Sequence, residues 1–137
     1  MNAILSIKPE FVTKIFTGEK RYEYRKTLFK KKIDTVYIYA SRPISKIVGQ
    51  FKIADVISNT PEEVWKETKD YGGVSKEFFY KYFNGRERGI ALQIKDVREF
   101  TNPIDVNSIK ENMKAPQSFI YIDFNLGGTL NKKEYKR

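Results

Sequence analysis

The feature that most limits the fold is a helix start set between two β-rich stretches. Thr60-Pro61-Glu62-Glu63 combines an N-cap hydroxyl, a proline suited to the first helical position and a glutamate three residues on, the arrangement of a capping box. Before it, Ile44 to Ile57 is long and β-branched, and Gly49 inside it marks a bend or bulge. After it, a helix with Val64 and Trp65 should end before Gly72-Gly73, and Ser75 can cap a second helix. In that second helix Phe78, Phe79, Tyr82 and Phe83 fall on one stripe, expected to be core packing, and Asn84-Gly85 closes it. Ile90 to Val97 then alternates as a strand.

The flanks continue the pattern. Ala3 to Ile7 reads as a buried strand, and Pro9 opens a helix whose apolar face is Phe11, Val12, Ile15 and Phe16, with Gly18 as a left-handed C-cap. Lys20 to Lys26 and Thr35 to Ala40 read as strands, Asn102-Pro103 as a break, Asn107 to Asn112 as a short helix and Ser118 to Phe124 as a last strand. Strands interrupted by short helices predict an α+β domain with a small, mixed, mostly antiparallel or barrel-like sheet. The expected division is a domain over 1–126 and a polar, basic tail over 127–137.

Composition removes whole reaction classes. The 137 residues include no His and no Cys, so disulfides, thiolate nucleophiles, zinc cages and imidazole acids or bases are absent. No motif calls for a metal or another cofactor. No apolar run nears the roughly 20 residues of a membrane span. The first residues run straight into a strand pattern without a signal-like segment, so a soluble cytoplasmic protein is expected.

The net charge of +9 is concentrated. Between Lys14 and Lys32 lie eight basic and two acidic residues, and Lys132 to Arg137 holds four basic and one acidic. The rest is balanced. A concentrated positive patch attracts polyanions, and nucleic acid is the commonest of these.

Within the block, Gly18-Glu19-Lys20-Arg21-Tyr22-Glu23-Tyr24-Arg25 stands apart. On an extended strand Arg21, Glu23 and Arg25 share a face, with Glu23 and Arg25 about 7 Å apart, and Lys20 follows the glycine turn where alternation need not hold. A carboxylate among cations can accept from a base amine while Lys or Arg holds phosphate. The plain alternative is a surface strand of alternating charge.

Gly18-x-Lys20-x-x-Glu23-x-Arg25, following Ser6-Ile7-Lys8-Pro9-Glu10, resembles the ASCH domain of the PUA-like superfamily. The resemblance continues through Tyr39-Ala40-Ser41-Arg42-Pro43, Ile47-Val48-Gly49, Tyr82-Phe83-Asn84-Gly85 and Ala115-Pro116-Gln117-Ser118-Phe119. It implies a β-barrel flanked by helices, a cleft beside the GxKxxExR segment, and RNA binding or RNA metabolism. Lys20, Glu23 and Arg25 would line that cleft, with Arg21, Ser41, Arg42, Gln117 and Ser118 as further contacts and Tyr82 as a structural residue.

One branch of this family hydrolyses N4-acetylcytidine with the motif lysine, a threonine and a glutamate. Here Lys20 matches the lysine, Glu23 takes the threonine's place, and Glu77 or Glu87 are the candidates for the glutamate. Lys20 as a base would need a lowered pKa, with like charge from Arg21 and Arg25 and burial supplying the rest.

The leading expectation is therefore a module that binds RNA, with DNA a lesser alternative, and takes a base or modified nucleoside into a basic cleft. Its backbone would follow Lys14–Lys32, with Tyr22, Tyr24, Tyr37 or Tyr39 available to stack. The alternative is an amidohydrolase on acylated nucleosides through Lys20 and Glu23; a nuclease ranks lower for want of a metal motif. A third expectation is docking of an acidic protein partner on the basic block.

Overall fold

The computed structural model describes residues 1–126. Its elements are β1 (Asn2–Ile7), α1 (Pro9–Thr17), β2 (Tyr22–Arg25), β3 (Val36–Ala40), β4 (Lys46–Asn59), α2 (Pro61–Thr68), α3 (Lys76–Tyr82), β5 (Gly89–Ile104), α4 (Val106–Ile109) and β6 (Phe119–Ile122). Six strands form one sheet in the order β2-β5-β4-β3-β1-β6, curled into a half-barrel. Among the described residues only β1 and β3 pair in parallel; the other ladders are antiparallel. The α+β class and the mostly antiparallel, barrel-like sheet thus form as expected, with β2 and β6 as its edges.

Local chemistry explains most boundaries. Gly18 sits at φ 84°, and its N–H reaches the Ile15 carbonyl at 3.2 Å, closing α1. Thr60 Oγ1 accepts from the Glu63 N–H at 3.3 Å, and Ser75 Oγ accepts from Phe78 N–H at 3.1 Å. The reciprocal half of the capping box goes elsewhere: Thr60 N–H donates to Asn59 Oδ1 at 2.8 Å, while Glu63 pairs with Lys66.

Gly49 lies at a register shift between β3, β4 and β5. A Cβ there would meet the Arg98 carbonyl at 2.5 Å and Phe16 Cζ at 2.7 Å, so only glycine lets the strands and α1 close up.

Two expectations need correcting. Asn102-Pro103 does not end a strand; β5 runs on to Ile104. The ladder jumps from Gly49↔Glu99 to Ile47↔Ile104, and Pro103 falls in that irregularity, where its missing N–H costs no ladder bond. The aromatic stripe of α3 also divides. Phe79 and Phe83 are buried with Tyr24, Val64 and Ala91, whereas Phe78 and Tyr82 are half-buried and face a cleft.

The central strands are covered on both faces. Leu5, Ile7, Val36, Ile38 and Ala40 pack with Val12 and Ile15 of α1, while Ile4, Tyr37 and Tyr39 pack with Phe100, Val106 and Leu126 on the other side. Each buried Val, Leu, Ile or Phe among them contributes roughly 1.5–3 kcal/mol. No helix among the described residues is long and apolar enough to cross a membrane. The expected tail, 127–137, lies outside the described residues.

Candidate functional site

A cleft of about 480 Å³ opens where several chain ends meet. The ends of the parallel strands β1 and β3 bring Ser6, Lys8 and Ser41 to it, and edge strand β2 brings Glu23 and Arg25. Gln117 and Ser118, just ahead of the opposite edge strand β6, close the far side, and α3 forms the aromatic wall with Phe78 and Tyr82.

On the floor, Glu23 lies between two cations. Its Oε1 is 3.8 Å from Lys20 Nζ and its Oε2 is 3.4 Å from Arg25 Nη1. Lys20 is 2% exposed and Glu23 6%, so neither is a surface charge. Arg25 also donates to Ser118 Oγ, linking edge strand β2 to the segment just ahead of the other edge strand, β6.

Lys20 owes its burial to the Gly72-Gly73 turn, which the sequence presented only as a helix stop. Its Nζ donates to the Gly72 carbonyl at 2.6 Å and lies 4.7 Å from the Tyr24 ring centroid and 5.3 Å from that of Phe11. Three successive carbonyls accept from the neighbouring basic segment: Tyr71 from the Arg21 N–H at 2.7 Å, Gly72 from Lys20, and Gly73 from Lys14 Nζ at 3.0 Å. A Cβ on Gly73, at φ +69°, would meet Lys20 Cβ at 2.7 Å. Two adjacent glycines, where one suffices for a C-cap, were the available signal.

This setting lowers the Lys20 pKa below its ordinary 10.5. Loss of water is the main cause, Glu23 opposes it, and the like charge of Lys14 adds to it. The expected sources of like charge, Arg21 and Arg25, are replaced by Lys14.

Arg21 and Arg42 stand apart from the cleft. Arg21 precedes the strand, so strand parity does not govern it; its guanidinium stacks on Tyr71 at 4.2 Å and its Nε donates to Gly18. Arg42 is exposed in the turn after β3. Ser41, Gln117 and Ser118 line the cleft together with Lys20, Glu23 and Arg25.

The stacking candidates also shift. Tyr37 and Tyr39 are buried in the core and offer no free face, the half-buried Tyr22 packs with the α2–α3 cluster and does not line the cleft, and Tyr24 keeps its ring beneath Lys20. Burial pushes the Tyr24 hydroxyl up to about 12, with its bond to Thr68 at 2.6 Å opposing the rise. The aromatic residues that line the cleft wall are instead Phe78 and Tyr82, whose planes differ by 8°. Lys8 stands 5.4 Å over Phe78 and Lys26 4.9 Å over Tyr82. Their spacing of four on one helix face was the signal, hidden inside the core stripe.

The basic block does not form one continuous track. Lys20 is buried and Lys14 is tied to Gly73, whereas Lys30, Lys31 and Lys32 line a separate groove beside Ile53 to Val56. Glu77 and Glu87 are exposed and outside the cleft, where Glu23 is the one carboxylate among the described residues. No group of three or more acidic side chains suited to a metal forms among the described residues.

A family model described as the ASCH domain matches residues 5–116. An ASCH domain-containing ribonuclease from Zymomonas mobilis is 26% identical over 124 residues, 88% of this chain and 83% of that protein. Large ribosomal subunit protein uL22 of Ureaplasma parvum is 26% identical over 120 residues, and the chain spans 38% of its length. The crystal structure of ASCH from Zymomonas mobilis matches with a TM-score of 0.81 at 25% identity, covering 97% of this chain and 90% of that one. The motif, the half-barrel and the matched span lead to one assignment: the chain belongs to the ASCH domain family.

Proposed function

We propose that this chain is an RNA-binding module of the cytoplasm that takes one base or modified nucleoside into its cleft. The observation that carries this reading is the row Lys20–Glu23–Arg25 on the floor of a half-open cleft with an aromatic wall and a basic rim. A base could take the place of Lys8 or Lys26 over the Phe78 and Tyr82 rings and direct polar atoms at the row, the displaced ammonium turning to phosphates. Of the partners that suit such a rim, RNA is favoured over DNA by the relative named a ribonuclease. Residues 1–126 would act as the domain, with 127–137 adding phosphate contacts.

The test is binding of labelled single-stranded RNA over a salt series by wild type, Lys20→Ala, Glu23→Ala and Arg25→Ala. Affinity should fall with salt by about 0.7 log units per log unit for each phosphate neutralised. Each variant should weaken binding. Absence of binding at low salt, or unchanged affinity in all three variants, refutes the reading.

A second reading, hydrolysis in the same cleft, is favoured by the buried Lys20 with its lowered pKa. Burial favours the neutral form of the Lys20 amine, and in that form it would take a proton from an attacking hydroxyl or water beside Glu23. The substrate would be the RNA backbone, as the relative's name suggests, or an N4-acetylated cytidine. Shortening of labelled RNA and release of acetate from N4-acetylcytidine separate these two. If neither product forms, hydrolysis fails and the binding module remains.

A further inference from the structure

The cleft floor presents its hydrogen-bonding groups in a fixed order. Lys20 Nζ flanks one oxygen of Glu23 and Arg25 Nη1 flanks the other, at 3.8 and 3.4 Å. An ammonium and a guanidinium only donate, and an ionised carboxylate only accepts, so the row reads donor, acceptor, donor. Gly72 occupies one donor of the ammonium and Ser118 one of the guanidinium, which leaves further N–H groups on both.

A flat ligand meeting this row edge-on must offer acceptor, donor, acceptor. Uracil does so on its Watson–Crick edge, through O4, N3–H and O2. Cytosine and adenine place a ring-nitrogen lone pair at the centre, against the carboxylate. Guanine offers a central N–H but sets its amino group against one of the cations. A mismatch of this kind leaves a buried polar group unpaired, which discriminates far more strongly than a change of shape.

Building on the RNA-binding reading, we propose that the cleft is a pocket for the imide edge of uracil, in RNA or as the free nucleoside. Glu23 is the acceptor that sets specificity, and Lys20 and Arg25 hold the two carbonyl oxygens. The Phe78–Tyr82 wall supplies stacking that any base could use, so the choice of base falls to the row.

The experiment changes the ligand rather than the protein, so no variant has to fold. Labelled oligouridylate, oligocytidylate and an oligouridylate methylated at every uracil N3 are titrated by fluorescence anisotropy at one low salt concentration. In parallel, uridine and N3-methyluridine are titrated by NMR of the protein amides. Oligouridylate should bind at least about tenfold more tightly than the other two, a modest figure for one base-edge match. Uridine, but not its methylated form, should shift amides of Glu23 and Arg25.

Equal affinity for all three oligonucleotides overturns the imide edge and leaves RNA binding standing. Saturable uridine binding without oligonucleotide binding does the reverse. If neither uridine nor any oligonucleotide binds, both proposals fall.

Discussion

Lys20 holds an amine almost wholly out of water. At 2% exposure it depends on Glu23 and the Gly72 carbonyl, and removing one partner of such a pair costs far more than replacing both. Glu23→Leu should therefore lower stability by about 3 kcal/mol, whereas Lys20→Met combined with Glu23→Leu should recover most of that loss. Urea unfolding of the four proteins in this cycle measures it; a double variant no more stable than Glu23→Leu alone would show the pair to be structural.

The pH dependence carries a definite sign. Because the folded pKa of Lys20 lies below its unfolded 10.5, the unfolded chain binds more protons between the two values. This group's contribution to stability thus rises with pH across that window. Glu23 holds the pKa up, so Glu23→Leu should start the rise at lower pH, and Lys20→Met should abolish it.

At the scale of elements, two glycines that both have positive φ give different expectations. A Cβ on Gly18 (φ +84°) would have nothing within 4 Å, while one on Gly73 (φ +69°) would meet Lys20 Cβ at 2.7 Å and Cγ at 2.9 Å. Gly18→Ala should cost about 1 kcal/mol, the conformational term alone, and leave RNA affinity unchanged. Gly73→Ala should cost more and weaken binding too, because the turn or Lys20 has to move. Thermal unfolding and anisotropy on both variants check this; equal effects on affinity would detach the turn from the site.

Element starts and stops were the most legible part of the sequence, because caps act locally: Thr60, Ser75 and Gly18 do what their residue types allow. The length of β5 was not legible, since a bulge formed with β4 decides whether Pro103 is tolerated. Nor was the division of the α3 stripe. A seven-residue helix set between the sheet and a cleft needs an apolar residue on each side. In the site, Lys20, Glu23 and Arg25 were legible from one short segment. Arg21 was misplaced because parity begins only at Tyr22, and the role of Gly72-Gly73 rests on a contact 52 residues away in sequence.

At the scale of the whole molecule, the core extends to the last described residue. Leu126, the last described residue, is fully buried among Ile4, Tyr37 and Ile122, and its N–H donates to Tyr37 Oη at 2.9 Å. The four basic residues of the tail lie beyond it. On the proposed division after 126, a chain ending at Leu126 should unfold at the same urea concentration as the full chain. One ending at Asn125 loses a buried leucine and should be about 2–5 kcal/mol less stable, the range for Leu→Ala in cores.

If the tail contacts phosphates, the chain ending at Leu126 should also show a salt dependence of RNA affinity shallower by up to about 3 log units per log unit. Its preference among bases should be unchanged, because phosphate contacts position a strand without reading it. An unchanged salt slope would assign all binding charge to residues 1–126. A lost base preference would mean that the cleft and the tail recognise RNA as one unit, and the boundary after Leu126 would then have no functional meaning.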